Sequence, residues 1–529
     1  MRTFLLLLFF SISNLFAQNI GAGMSEAHAI VLKDDGSVVT WGENGNGQLG
    51  NNNQPTYAYS AVSVYTTGTP MEGKTIRYVA VGHRFSLAID NNGEVYSWGY
   101  NHRGQLGIND IGVSDTTQVP DTVNSYGTPM GTKNIISVIG GLDFVLALSD
   151  EGLVYSWGWQ SDGQLGNNIA YTSAQKKPVA VYTTGTAMDG KFITQVSAGT
   201  AFALALDSDG VVYSWGDNYR GQLGINNTTD QKKPIAVVTS GTAMSGKTIV
   251  EVSAGGLHSV ALDSDGNVYT WGYNYRGQLG TGDNTQYNTP VAVSIPKPIN
   301  HIVAGNEFTI AKATDGTIYS WGYDYYGQLG DADGQSNSNV PVEVDLSGVL
   351  SGKTIIDIVC GRQHVIALGD DGQIYGWGYN NAGALGNGLS TGIYYVPTSS
   401  SFNQAATPVE LVNFEANIVS NTIYLNWQTA TEVNNYGFEI ERKSEMSDWE
   451  TIGFVEGHGN SNSPKDYSFL DSDVLSGKLS YRLKQIDTDS KFEYSEEISV
   501  NLSTQTDFKL AQNFPNPFNP STIITYQLP

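Results

Sequence analysis

Trp41-Gly-Glu-Asn-Gly-Asn-Gly-Gln-Leu-Gly50 is the stretch on which the fold turns. The same phrase returns at Trp98, Trp157, Trp215, Trp271, Trp321 and Trp377, at spacings of 57, 59, 58, 56, 50 and 56 residues. Five residues before each tryptophan stands a glycine: Gly36, Gly93, Gly152, Gly210, Gly266, Gly316 and Gly372. Asp, Asn or Glu precedes each one, which gives the turn chemistry of a tight hairpin. An apolar strand such as His258–Leu262 leads into the turn, and an alternating strand such as Gly266–Trp271 leaves it. Alternation places Tyr269 and Trp271 on one face and Val268 and Thr270 on the other. Two further strands are marked by Pro178-Val-Ala-Val181 and Lys247–Val252. Each copy therefore holds about four short strands, the content of one propeller blade.

One blade cannot bury both of its faces, so copies must stack. Seven copies predict an all-β, seven-bladed ring, which also removes exposed strand edges. Because only Asn19-Ile20 remain before the first hairpin, closure is expected to mix strands from both ends of the chain.

The repeated Trp-Gly-x-Asn-x-x-Gly-Gln-Leu-Gly, with the upstream Gly-x-x-His-x-x-Ala-Leu and Asp-Gly-x-Val-Tyr, resembles the regulator of chromosome condensation repeat. The resemblance covers roughly residues 20 to 407 and implies a seven-bladed β-propeller. The histidine of that pattern stands at His28, His258 and His364, but Phe85, Phe144, Phe202 and Phe308 replace it elsewhere, which favours packing over chemistry. The pattern's Gln becomes Ala384 in the last copy.

Lys and Arg number 27 against 51 Asp and Glu, a net charge of −24. Such a chain is repelled by phosphate backbones, so nucleic acid is not an expected partner. The lone Cys360 excludes an intrachain disulfide and fills a slot that is Ala or Val in most copies. Arg2, the apolar run Phe4–Phe10 and the small Ala17 read as a signal peptide over 1–17, and no later run is long enough for a transmembrane helix.

The propeller is assigned to 18–407, and the pattern changes at Pro408. Leu425–Trp427, Tyr436–Arg442, Trp449–Ile452, Tyr467–Leu470, Tyr481–Ile486 and Glu497–Val500 are six strand candidates, so 408–502 reads as a small β-sandwich. It resembles a fibronectin type III-like domain, which implies Trp427 as the core tryptophan and Tyr481 at the tyrosine-corner position. Pro408–Val412 fits either the seventh blade or the sandwich. Asn516-Pro-Phe-Asn-Pro-Ser-Thr522 resembles the opening of the C-terminal sorting domain of type IX secretion substrates. That domain continues further in its family, so 503–529 is read as a truncated C-terminal β segment that engages secretion machinery. The resulting expectation is a secreted or outer-membrane surface protein.

Chemistry is scarce. Gly45–Gly50 fits G-x-G-x-x-G but lies in a repeat linker, without a strand-to-helix context. Gly388–Gly392 fits G-x-S-x-G in a Gly/Ser-rich loop. Asp207–Gly210 and Asp263–Gly266 suggest calcium but occupy hairpin turns and lack further ligands. No catalytic residue, cofactor or metal is assigned.

The loops after each Trp-Gly vary and are rich in aromatics. The same position in successive blades sets these side chains around one end of the ring. The candidate binding residues are His102, Trp159, Tyr219, Arg220, Tyr275, Arg276, Tyr325 and Tyr326, residue types that form binding hot spots. Tyr100, Tyr273, Tyr323 and Tyr379 fit packing within the repeat better. The expected function is non-catalytic binding of a protein or glycan by this face. Guanine-nucleotide exchange on the GTPase Ran, which the family resemblance implies, is opposed by the leader and the negative charge. A polysaccharide-active enzyme needs a close acid pair, and none stands out.

Overall fold

The computed structural model describes residues 20–502 with breaks at 24–27, 34, 53–55, 109–115, 170–173, 404–410, 420–421, 430–431, 445–446, 462–464, 473–476 and 488–491, and also 509–510 and 526–527. The proposed leader and the Asn516–Thr522 phrase lie outside the described residues. So do residues 408–410 of the ambiguous junction, whereas Leu411 opens a strand of the second unit. The chain divides into two compact units, Met1–Ala405 and Ala406–Pro529.

The first unit holds seven four-stranded antiparallel sheets. In the second blade the strands run Ile76–Val81, Phe85–Asp90, Val95–Tyr100 and Thr116–Thr122, hydrogen-bonded in that order. The first strand of each blade is innermost. These inner strands touch in succession, and Ile355–Cys360 of the last blade touches Ile20–Ala22 of the first. The ring is closed. Its second and third strands are almost wholly buried, because each sheet is covered on both faces by its neighbours.

Alternation separates the two faces as expected. Tyr269 and Trp271 join a core with Leu204, Leu206 and Val212 of the preceding blade. Val268 joins a different core with Ile302, Tyr319 and Trp321 of the following blade. Burying a large apolar side chain contributes about 1.5–3 kcal/mol. Tryptophan supplies the greatest such burial in every seam. All seven repeat tryptophans are fully buried.

Each indole also donates its Nε1–H to a backbone carbonyl of the preceding blade. The acceptors are Gln48 for Trp98, Gln105 for Trp157, Gln164 for Trp215, Gln222 for Trp271, Gln278 for Trp321 and Gln328 for Trp377, at 2.8–3.1 Å. Trp41 closes the circuit on the carbonyl of Ala384 at 2.8 Å. The Gln-to-Ala change is tolerated there because the seam uses the main chain. Gly50 must lack a side chain, since a Cβ would lie 2.6 Å from Nε1 of Trp98.

Closure corrects one expectation. Among the described residues no blade mixes strands from the two ends. Ile20–Ala22, His28–Leu32, Val38–Glu43 and Tyr57–Ser63 make the first blade from contiguous chain, and Ile393–Asn403 completes the seventh. Three residues, Ile20–Ala22, suffice for an inner strand. The ends meet through packing instead: Trp41 stacks on Phe402 at 6.1 Å, and Ile20 shares a core with Ile366 and Leu368.

The second unit is a small β-sandwich. Leu411–Val419, Thr422–Thr429 and Lys465–Asp471 form one sheet. Glu432–Ser444, Glu450–Ser461, Gly477–Asp487, Phe492–Tyr494 and Ile498–Leu502 form the other. Trp427 packs between Phe438 at 5.4 Å and Tyr467 at 5.5 Å in the shared core. The hydroxyl of buried Tyr481 donates to the Asp471 carboxylate at 2.7 Å, so a side chain serves where a tyrosine corner uses backbone. Lys509–Leu510 and Tyr526–Gln527 pair as two short strands.

Candidate binding face

The loops after each tryptophan lie on one face of the ring, beside the loops that join the first and second strands. Backbone hydrogen bonds hold the two sets together: Tyr100 N–H to Arg84 O, Trp159 to Asp143, Asp217 to Ala201, Tyr273 to Leu257, Tyr323 to Glu307 and Tyr379 to Gln363. In the first six loops the glutamine side chain accepts a backbone N–H two residues before it, as Gln222 Oε1 does from Arg220 and Gln278 Oε1 from Arg276, both at 2.9 Å. This fixes the backbone that carries the variable residues.

Those residues stack by a simple rule. The side chain five places after a tryptophan covers the ring two places after the next one. Arg220 lies over Tyr273 at 4.9 Å, and Arg276 over Tyr323 at 4.6 Å. Tyr326 stacks on Tyr379 at 4.6 Å, and Arg103 covers Trp159 at 4.0 Å. The residue four places after the tryptophan is left outward: Tyr219, Tyr275 and Tyr325 are 53%, 65% and 53% exposed. Each is steadied from below. Arg220 lies 5.0 Å from Tyr219, Tyr273 stacks on Tyr275 at 6.4 Å, and Tyr326 meets Tyr325 edge-on at 4.9 Å. A guanidinium over an aromatic face is attractive by about 0.5–1 kcal/mol at exposed sites.

The structure thus joins Tyr219, Arg220, Tyr275, Arg276, Tyr325 and Tyr326 into one continuous arc over the fourth to seventh blades. His102 and Trp159 lie outside this arc: His102 stacks on Tyr100 at 6.1 Å, and Trp159 carries Arg103. Two acids separate them from it. Asp162 and Asp217 take the positions where the stack would continue, and Asp217 is pushed up to about 6, chiefly by burial. Sequence reading missed Arg103, whose role follows from the same offset. Tyr273, Tyr323 and Tyr379 are half-buried supports of the arc.

The other flagged residues are structural. Asp207 accepts the N–H of Asp209 and Val211 and the Tyr213 hydroxyl, while Asp209 pairs with Lys191 at 2.9 Å. Asp263 and Asp265 repeat the arrangement with Lys247. His28, His258 and His364 are buried, and burial lowers them to about 3, 3 and 4. They are neutral at pH 7. The His258 ring rests against Gly255, where a Cβ would lie 2.3 Å away. Burial raises the Cys360 thiol, so the thiolate nucleophile is absent near neutrality.

Comparison with known proteins agrees with the geometry. Residues 11–246 match the RCC1-like domain. Residues 265–311 and 315–368 match the regulator of chromosome condensation (RCC1) repeat, as do 249–278, 299–328 and 355–384 in a second description of that repeat. The repeat region belongs to the RCC1 repeat family and has its propeller fold. The chain is 32% identical to the ultraviolet-B receptor UVR8 of Arabidopsis thaliana over 266 residues, 50% of this chain and 55% of the receptor. It is also 32% identical to the human E3 ubiquitin-protein ligase HERC2 over 285 residues, 54% of this chain and 5% of the ligase. The chain therefore spans little more than half of the first relative and a small part of the second. Human WBSCR16 shares the fold at a TM-score of 0.61 and 22% identity, covering 71% of this chain and 96% of that one. Prp20p of Saccharomyces cerevisiae does so at 0.55 and 22%, covering 65% and 80%. No helix among the described residues is long and apolar enough to cross a membrane.

Proposed function

We propose that this chain is a non-catalytic interaction module that binds a partner protein through the arc from Tyr219 to Tyr379. The observation that carries the reading is the set of three outward tyrosines, each held in place by a stacked neighbour. Rigid aromatic side chains present a large contact area at small entropic cost. Preorganisation by the Arg and Tyr supports lowers that cost further. The partner presents an apolar patch with acceptor groups at its rim, to meet the tyrosine hydroxyls and the edges of Arg220 and Arg276. Family resemblance points the same way, since Prp20p is described with binding properties to Gsp1p and histones. Those partners are not carried over to a chain of net charge −24.

The Arg2–Ala17 leader and the Asn516–Thr522 phrase support export across both membranes as part of the proposal. The sandwich is proposed as a fibronectin type III-like spacer, on the strength of Trp427 and Tyr481. The test is capture by the immobilised full chain from a panel of solubilised surface proteins and polysaccharides, beside the Tyr219→Ala, Tyr275→Ala, Tyr325→Ala triple variant. Saturable binding of a purified partner protein that the variant loses supports the reading. Polysaccharide as the only bound class assigns the arc to glycans, and equal capture by both proteins rejects the arc.

A further inference from the structure

In five of the seven blades the residue three places after the repeat tryptophan is an asparagine with one structural task. In Asn44, Asn101, Asn218, Asn274 and Asn380 the side-chain Oδ1 accepts the N–H of the leucine five places on, at 2.9–3.0 Å. The Nδ2 then points into the loop that follows. Asn274 Nδ2 donates to the carbonyls of Asp283 and Thr285, both at 3.0 Å. Asn218 Nδ2 donates to those of Asn227 at 3.0 Å and Thr229 at 3.1 Å. Asn380 Nδ2 reaches the carbonyl of Leu389 at 3.0 Å. These acceptors stand nine or eleven residues on, so the loop is an oxygen cage built to receive a donor.

In the sixth blade the residue is Asp324. Its Oδ1 still accepts the N–H of Leu329, at 2.8 Å. Its Oδ2 therefore occupies the position where the other blades place an amide NH₂. That oxygen is buried and has no hydrogen-bond partner, and the residue is 0% exposed. Seven and nine places on stand Asp331 and Asp333. One carboxylate oxygen from each of the three lies within 4.8 Å of the others. A donor has been replaced by an acid, and two more acids face it.

Asp331 and Asp333 bring two further carboxylates beside this buried, unpartnered oxygen. A buried unpaired carboxylate is costly unless a cation or a proton compensates it.

We propose that Asp324, Asp331 and Asp333 form a Ca²⁺ site in the loop of the sixth blade. An all-oxygen, carboxylate-rich set is the chemistry of a hard cation. Calcium holds its oxygens at 2.3–2.6 Å, so ligand atoms stand no more than about 5 Å apart. The 4.8 Å limit observed meets that requirement. Asp331 is half-buried and Asp333 exposed, which leaves room for water to complete the shell. Magnesium, which demands strict octahedral geometry and gives up its water reluctantly, suits such an open loop less well. The site adjoins Tyr325 and Tyr326 in sequence, so the ion fixes the loop that carries the densest part of the aromatic arc.

The full chain, freed of metal by chelation, is titrated with CaCl₂ by calorimetry and followed by thermal unfolding with and without the ion. Saturable binding with a Kd of about 0.1–1 mM, the range of weaker calcium modules, and a calcium-dependent rise in Tm are expected. Asp324→Asn restores the donor found in the other blades. It is expected to weaken calcium binding at least about tenfold, with a calcium-free Tm equal to or above that of the parent. Asp333→Asn, which places there the residue that the fourth blade has at Asn227, is expected to weaken binding as well. Unchanged affinity in Asp324→Asn overturns the proposal, as does the absence of any calcium-dependent shift in the parent. A parent Tm that rises as pH falls through 7 without a calcium effect assigns the oxygen cage to a proton on Asp324 and likewise overturns it.

Discussion

The seams between blades and the arc on the ring's face are built by the same loops to opposite ends. In the seams all seven tryptophans repeat the same burial and the same hydrogen bond to a main-chain carbonyl. A few residues later the side chains change from blade to blade: Gly45, His102, Ser161, Tyr219, Tyr275, Tyr325 and Asn381 occupy one register position. Regularity therefore closes the ring, and departure from regularity marks where it does something particular. The rule holds at the arc and at the sixth-blade loop alike. The arc arises where the repeat turns aromatic in the fourth to sixth blades, and the calcium site arises where Asn becomes Asp at position 324.

The comparison can be broken most forcefully at a seam. Trp271→Ala removes a fully buried indole from the core between the fourth and fifth blades. A loss of about 3–5 kcal/mol is expected, read as a fall in the midpoint of chemical unfolding. A loss comparable to that of a surface substitution contradicts the seam's role. Next in size is Ser320→Ala. The Ser320 hydroxyl donates to the Leu329 carbonyl at 2.6 Å within the buried seam. Its removal is expected to cost about 1–3 kcal/mol, the penalty for an unsatisfied buried acceptor.

Smaller effects sharpen the contrast at the face. Asp217, at the gap before the arc, has its carboxyl raised to about 6 by burial. A raised acid favours the folded state below that value and loses its contribution as pH rises through it. Asp217→Asn removes this titration, so its Tm relative to the parent is expected to climb between about pH 4 and pH 6 and then level off. A difference that stays constant over this window sinks the assignment. Arg276→Ala removes a stack over Tyr323 and Tyr275 and a partly exposed ion pair with Glu307 at 3.9 Å. It is expected to shift stability by less than about 1 kcal/mol while lowering partner affinity.

Much of this was legible in the sequence because the repeat gives seven readings of each position. Hairpin glycine, alternating strand and tryptophan are enough to place the blades. Closure was misread because Asn19-Ile20 looked too short to start a blade, whereas three residues, Ile20–Ala22, form an inner strand once Trp41 and Phe402 seal the seam. In the sandwich the six strand candidates all fall on or beside observed strands, but Leu411–Val419 is legible only as the ambiguous Pro408–Val412, and Phe492–Tyr494, flanked by polar residues, carries no signal. Within the arc, the outward tyrosines were visible as variable aromatics. Their supports were not, since an offset of five onto two across blades is a property of the ring's geometry. Asp324 escaped attention because one acid among 51 carries no signal until its register with five asparagines is known.

The most direct test of the account pairs two readings on the Tyr219→Ala, Tyr275→Ala, Tyr325→Ala variant: thermal unfolding, and affinity for a partner protein captured by the parent. Separation of seam and face predicts a Tm within a few degrees of the parent together with at least about a tenfold loss of affinity. Retained affinity with an intact fold would contradict the claim that this arc is the binding surface.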